Sequence, residues 1–336
     1  MRISQAIGGT DTGRKRRHNE DAFVCEPPLF AIADGMGGAQ AGEVASQLAA
    51  AALTESHASS GGEDRVAELI QEANRRVHDR ASTDATTSGM GTTMTVALVA
   101  PDGTVAFGHV GDSRAYLLRE ARLEQVTDDH TLVAELVRRG ELSPADAELH
   151  PQRSVITRAL GTDPDVDVDT FSIQAQEGDV FLLCSDGLSS MVDGETIERL
   201  VEENRTNLRQ AARSLIQAAN RGGGEDNITA VLFELQEGEA ASADEPTREH
   251  VLVVDEVADD EDTLHPEDGV TPPPVERPVS DTMIVPMHQI EAALAQQDRT
   301  EGEPPQAGLG RRLLALVVIV ALIAVIVVLV WWGLAR

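Results

Sequence analysis

As far as residue 236, the apolar positions of this chain fall into short runs broken by turns. They then thin out, and they close up into one uninterrupted run near the C-terminus. In the first part, Gly91–Ala100 is rich in β-branched residues, and Pro101-Asp-Gly103 separates it from a second such run, Thr104–Val110. Two extended runs across a short Pro-Asp-Gly turn predict a β-hairpin, hence antiparallel pairing. Further strands are predicted at Leu29–Ala33, Ala115–Arg119, Val180–Cys184 and Ile228–Leu235. Helical patterns run over Glu43–Thr54, Arg65–Arg80, Thr131–Arg139 and Leu208–Asn220. Many strands without regular strand–helix alternation predict an α+β fold of antiparallel sheets covered by helices. There is no internal repeat.

The pattern changes at Glu237. From there to Gly310 nineteen acidic residues face three basic ones, with the cluster Thr271-Pro-Pro-Pro-Val-Glu-Arg-Pro278 and almost no aromatic residues. Such a segment cannot bury enough apolar surface to offset its ordering entropy, so 237–310 is expected to be a disordered, self-repelling linker. Two apolar islands interrupt it, His250–Val254 and Met283–Met287. They are read as incidental in preference to docking motifs. The final run, Leu313–Trp332, has twenty residues without a polar side chain. As a helix it measures roughly 30 Å, the hydrocarbon thickness of a bilayer. Arg311 and Arg312 precede it and only Arg336 follows, an arginine bias that keeps the N-terminal part in the cytoplasm. Residues 311–334 are thus expected to form a single transmembrane helix in the cytoplasmic membrane, with residues 1–236 as the working domain.

Composition narrows the function. A net charge of −30 over 336 residues argues against nucleic-acid binding, which needs a positive footprint. Only Cys25 and Cys184 are present, which makes neither a disulfide framework nor a zinc spacing and suits a reducing compartment. The N-terminal stretch lacks the apolar core of a signal peptide.

Against that acidic background, Gly13-Arg-Lys-Arg-Arg-His-Asn-Glu-Asp21 places four consecutive basic residues ahead of two carboxylates, and Lys15 is the only lysine in the chain. Four other segments set an aspartate where an apolar strand meets a turn: Phe30–Gly35, Gly108–Ser113, Leu182–Gly187 and Gly222–Ile228. One Asp-Gly at a strand end is an ordinary turn. Four in one domain can gather distant carboxylates at one sheet edge. Two carboxylates about 4 Å apart repel by about 4 kcal/mol at an effective dielectric of 20, so such a cluster shares protons or holds a divalent cation. Oxygen-only donors point to Mg²⁺ or Mn²⁺. The rival reading of Asp34–Gly42 as a dinucleotide loop fails, because Gln40 stands where the third glycine belongs and no parallel βαβ unit surrounds it.

Taken together, eight segments resemble the metal-dependent protein phosphatases of the PPM, or protein phosphatase 2C, family, most closely its bacterial serine/threonine members. They are Arg16–Asp21, Ala33–Gly38, Gly91–Thr93, His109–Ala115, Val126–His130, Arg158–Gly161, Leu183–Leu188 and Gly224–Thr229, and they follow the family's order over nearly all of residues 1–236. The resemblance implies a four-layer α/β/β/α sandwich with the metals at one end between the sheets. It also implies two-metal activation of water for hydrolysis of phosphoserine and phosphothreonine, opposing bacterial serine/threonine kinases. Asp34 matches the aspartate bridging both metals, the Gly35 carbonyl a backbone ligand, and Asp186 and Asp226 the remaining carboxylate ligands. Glu20 and Asp21 match acidic residues that orient water around the metals. Asp112 and Ser154 match ligands of a third metal found in bacterial members, so two or three Mn²⁺ or Mg²⁺ ions are implied. Arg16 matches the arginine that grips the substrate phosphate, a task its guanidinium fork suits.

One position departs from the family pattern. Met36 stands where eukaryotic relatives usually carry a histidine proposed as general acid, which leaves the acid unassigned; His18, His109 and His130 are read as structural. Cys184 lacks the Cys-x₅-Arg frame of cysteine phosphatases and reads as a strand residue. Two alternatives stay in view. One is a pseudophosphatase that binds phosphoproteins without turnover, which predicts a lost metal aspartate. The other is an enzyme narrowed to a phosphorylated regulator of a transcription factor, which predicts an added sensor or partner domain.

Overall fold

The computed structural model describes residues 1–37, 41–56, 61–238 and 283–284. The chain divides into two units, Met1–Pro286 and Met287–Arg336, and the second lies outside the described residues together with the expected membrane span. Among the described residues no helix is long and apolar enough to cross a membrane. Of the expected linker only 237–238 and 283–284 are described.

In chain order the first elements are β1 (Arg2–Asp11), β2 (Asp21–Glu26), β3 (Leu29–Met36), α1 (Ala41–Glu55), α2 (Glu63–Thr83), β4 (Gly91–Thr92), β5 (Met94–Val99), β6 (Thr104–Val110), β7 (Arg114–Arg119) and β8 (Arg122–Gln125). After them come α3 (Leu132–Arg138), α4 (Pro144–Glu148), β9 (Val155–Ile156), β10 (Asp169–Gln174), β11 (Val180–Cys184), α5 (Asp186–Ser189), α6 (Gly194–Glu203), α7 (Leu208–Gly222), β12 (Ile228–Gln236) and β13 (Met283–Ile284). Five strands form one antiparallel sheet in the order β1-β12-β11-β7-β8, and the other sheet runs β10-β6-β5-β3-β2 with β4 paired to β3. The predicted hairpin is β5–β6, in register from Met94 opposite Val110 to Val99 opposite Val105. The Asp102 carboxylate accepts the Thr104 amide at 2.9 Å in its turn.

Central strands here are apolar on both faces, because each face meets a different layer. In β3, Phe30 and Ile32 point to the facing sheet, while Leu29, Ala31 and Ala33 pack under α1 and α2. In β12, Val231, Phe233 and Leu235 point between the sheets, while Ala230 and Leu232 pack under α6 and α7. The two sheets meet through aromatic rings: Phe30 stacks on Phe233 at 4.1 Å, and Phe107 lies 5.7 Å from Phe181. This is the expected helix–sheet–sheet–helix order, and it buries apolar area on both sides of each sheet. The expected helices are present within a few residues at each end, and Thr131 turned out to be the cap of α3, its hydroxyl accepting the Ala134 amide at 3.2 Å.

One reading of the linker is corrected. Met283 and Ile284, treated as incidental in sequence, form β13 and pair in parallel with β9, Met283 opposite Val155 and Ile284 opposite Ile156.

Candidate active site

The acidic candidates lie at or near the ends of strands. Asp21 opens β2 and Asp34 sits opposite it on β3. Asp112 lies in the crossing from β6 to β7, Asp186 starts α5 just after β11, and Asp226 stands two residues before β12. The first two belong to one sheet, Asp186 and Asp226 to the other, and Asp112 to the link between them. Contrary to the expected design, β3 does not end at Asp34 but continues to Met36. The reason is pairing: Gly35 and Met36 face Thr92 and Gly91 of β4.

Close backbone approach holds the geometry. A Cβ on Gly35 would lie 2.1 Å from the Gly42 carbonyl and 2.5 Å from that of Glu20, so only glycine lets β3, the start of α1 and the Glu20 loop converge. The Gly35 amide donates to the Glu20 carbonyl at 3.1 Å. Gly13, at φ 77°, turns the chain tightly against the Asp226 backbone. Beyond it, the Arg14 and Lys15 amides both donate to the Gly224 carbonyl, at 2.8 and 3.2 Å. That contact carries Arg16 to Asp226, which accepts from Nη2 at 2.8 Å. Lys15 pairs with Glu225 at 2.5 Å on the exposed side.

Asn227, part of the Gly224–Thr229 motif and without an assigned role in the sequence, ties the site together. Nearly fully buried, at 3% exposure, its Nδ2 donates to the carbonyls of Thr12 and His18 at 2.9 and 3.0 Å, and its Oδ1 accepts the Glu20 amide at 2.7 Å. Its own amide donates to Asp226 at 2.9 Å. The buried side-chain amide therefore orients the basic loop and the Glu20 backbone, and the backbone N–H of the same residue orients the Asp226 carboxylate. Hydroxyls do the same elsewhere. Thr229 donates to Asp21 at 2.6 Å, the Thr92 hydroxyl and the Thr93 amide donate to the Asp34 carbonyl, both at 2.9 Å, and the Asp34 amide donates to the Thr93 hydroxyl at 3.0 Å.

The electrostatics are those of crowded anions. Burial pushes Asp34 well above the usual carboxylate range, and the neighbouring charges of Asp21, Asp186, Asp226 and Asp112 push it further. Burial and then Asp226 and Asp21 raise Asp186 to about 7. Asp21 is raised to about 6 by burial, partly offset by the Thr229 hydroxyl. Asp112, at 8% exposure, is raised well above its ordinary value by burial, then by Asp186 and Asp129. Arg16 shows the complementary response: burial works against its charge, but Asp226, Glu20 and Asp34 outweigh it and its pKa rises.

Asp21 Oδ1 is buried and has no hydrogen-bond partner among the described residues. An orphaned carboxylate oxygen among mutually repelling carboxylates is a donor set suited to a hard divalent cation. No three His, Cys, Asp or Glu side chains among the described residues close into a cage. Cations of this kind are held by one or two carboxylates with a carbonyl and water filling the other positions, so a closed cage is not required.

The remaining candidates fall outside the cluster. Ser154 precedes β9, and no described contact joins it to the carboxylates. His109 and His130 are 1% exposed. His130 Nδ1 accepts the Gly111 amide at 3.0 Å, so its Nε2 donates to Asp169 at 3.1 Å. Burial lowers the two imidazoles to about 4 and about 3. Both are neutral and structural. Burial also pushes the Cys184 thiol up to about 12, the reverse of nucleophile activation.

Residues 9–232 match the family model described as Protein phosphatase 2C. A serine/threonine phosphatase stp from Listeria innocua is 42% identical over 248 residues, covering 69% of this chain and 98% of that protein. The crystal structure of the Mycobacterium tuberculosis serine/threonine phosphatase PstP/Ppp superposes with a TM-score of 0.66 at 40% identity, over 70% of this chain and all of that one. A structure of the PstP catalytic domain in complex with two manganese ions gives a TM-score of 0.64 at 36% identity, over 70% of this chain and 99% of that one. With carboxylates from both sheets meeting beside the Arg16 guanidinium, and with these matches, the chain belongs to the protein phosphatase 2C family.

Proposed function

We propose that this chain is a metal-dependent protein phosphatase that hydrolyses phosphoserine and phosphothreonine esters. The observation that carries the reading is the convergence of Asp21, Asp34, Asp186 and Asp226 from two sheets, with Arg16 bound across to Asp226. Asp34, the Gly35 carbonyl, Asp186 and Asp226 would hold two ions, Mn²⁺ or Mg²⁺, with Glu20 and Asp21 ordering the surrounding water. Asp112 and Ser154 are assigned to a third. When bound, such ions supply Lewis-acid activation of water and neutralise phosphate charge.

The protein's own groups do the rest. The Asp226 bond sets the plane of the Arg16 guanidinium, whose fork matches two oxygens of a phosphate dianion. Asn227 keeps that loop and the Glu20 backbone in fixed register, so the phosphate is gripped without reorganisation. Met36 has no proton to give, and His109 and His130 are committed to buried hydrogen bonds, so neither imidazole protonates the leaving alkoxide, and water is assigned that role in preference to the exposed His18. The substrates are phosphoproteins, among them serine/threonine kinases and their targets. The run 313–332 would hold the enzyme at the cytoplasmic membrane, with residues 1–236 in the cytoplasm and the acidic linker as tether.

The test is phosphate release from a phosphothreonine peptide, with Mn²⁺, with a chelator, and with Asp186→Asn. Release that needs the ion and collapses in the variant is the expected result. A folded, metal-binding chain that releases no phosphate would overturn the reading.

A further inference from the structure

The parallel pairing of β13 with β9 is absorbed neither by the fold family's sandwich nor by the site. β9 lies between α4 and Arg158. One side of it is already occupied, since Ile156 bridges Thr131 and the Thr157 amide donates to the His130 carbonyl at 2.9 Å. The other side takes Met283–Ile284. An edge with unpaired N–H and C=O groups accepts an extended peptide by backbone hydrogen bonding.

Three further observations make this edge specific. Met283-Ile-Val-Pro-Met287 is an apolar island in a stretch of nineteen acidic residues, and Pro286, lacking an N–H, ends its capacity to pair. At matching offsets, two residues before each paired position, the chain carries Asp281 and Arg153, opposite charges. Leu149, the one exposed large hydrophobic side chain among the described residues at 85% exposure, is in the same segment. The edge also reaches the site: Ile156 packs with Met36, the residue after Gly35, and Leu160 and Thr92 exchange backbone hydrogen bonds at 2.9 and 3.2 Å beside Asp34.

We propose that β9 is a strand-accepting edge for extended peptides and that the chain's own Met283–Ile284 occupies it in cis, competing with substrate peptides for the approach to the site. The competition, though not the pairing, rests on the phosphatase reading. Parallel pairing needs a long connection, which residues 239–282 provide, and lengthening such a loop costs little.

The test uses the full chain in detergent micelles. Val155→Cys with Met283→Cys should form an intramolecular disulfide at least about ten times faster than Val155→Cys with Val254→Cys, which places the second cysteine in the other apolar island. Equal rates, or cross-linking only between molecules, would overturn cis pairing. Met283→Pro removes an N–H from the paired side of the segment and leaves the site untouched. It should lower KM for a phosphothreonine peptide about three- to tenfold, the gain when an edge occupied in about 70–90% of molecules is cleared. KM and kcat for p-nitrophenyl phosphate should not change. An unchanged peptide KM would overturn the competition. Loss of turnover on both substrates in the unsubstituted chain would instead fail the phosphatase reading, with the disulfide result still standing.

Discussion

The sharpest consequence of the site's construction concerns Asn227. Replacing it with alanine removes two donated bonds, to the carbonyls of Thr12 and His18, and one accepted bond, from the Glu20 amide. A neutral hydrogen bond contributes about 1 kcal/mol net, and an orphaned buried partner costs about 1–3 kcal/mol. His18 is exposed and Thr12 and Glu20 are half-buried, so water re-solvates part of what is lost. The three bonds then sum to about 3 kcal/mol. For a domain of this size that is a fall of about 6–12 °C in Tm. Scanning calorimetry on residues 1–310, which omits the apolar run, measures it. Asn227→Asp is the discriminating partner. It keeps the acceptor for Glu20 but sets a carboxylate against two carbonyl oxygens and adds another anion to the cluster. It should therefore do no better than alanine at pH 8 but gain on alanine at pH 5.5, where a protonated oxygen can donate once. A loss below about 1 kcal/mol for alanine, or an aspartate as stable as asparagine at pH 8, would refute the tie assigned to this residue.

Three other outcomes follow from the same geometry. Arg16→Lys keeps the charge and loses the fork, so kcat/KM on a phosphopeptide should fall about 10- to 100-fold, the equivalent of one charged hydrogen bond, with Tm within about 2 °C of the parent. Gly35→Ala drives a methyl into backbone that cannot yield, 2.1 Å from the Gly42 carbonyl, and should cost about 3 kcal/mol by calorimetry while abolishing phosphate release. In chelator, Asp186 at about 7 binds its proton more tightly in the folded than in the unfolded state, so stability is greater at low pH and is lost as pH rises through 7. Tm of the metal-stripped chain should therefore fall between pH 6.5 and 8, and saturating Mn²⁺ should flatten that slope. Below pH 6.5 the depressed imidazoles of His109 and His130 act in the opposite sense, destabilising the fold as the unfolded chain takes up protons.

Much of this was legible in the sequence, for identifiable reasons. Strands β3, β11 and β12 announce themselves because both faces are buried, which leaves continuous apolar runs. Four repetitions of aspartate beside a turn pointed to the carboxylate cluster. By contrast β1 reads Arg-Ile-Ser-Gln-Ala-Ile-Gly-Gly-Thr-Asp, with no strand periodicity of its own, and is extended because β12, over two hundred residues away, pairs with it. Helix α6 was readable and missed: Asp193 caps the Thr196 amide at 2.9 Å, and Ile197, Leu200 and Val201 recur at helical spacing. Asn227 was not readable, since its partners at positions 12, 18 and 20 become neighbours only through the fold.

The division of the acidic groups between two leaves has a mechanical reading. Asp21 and Asp34 hang from one sheet, Asp186 and Asp226 from the other, so a cation held among them, as proposed, would rivet both. Its grip would add RT ln(1 + [M]/Kd) to the cohesion of that end of the sandwich. Removing the ion would then loosen that end first, lowering the stability of the fold as well as stopping its chemistry.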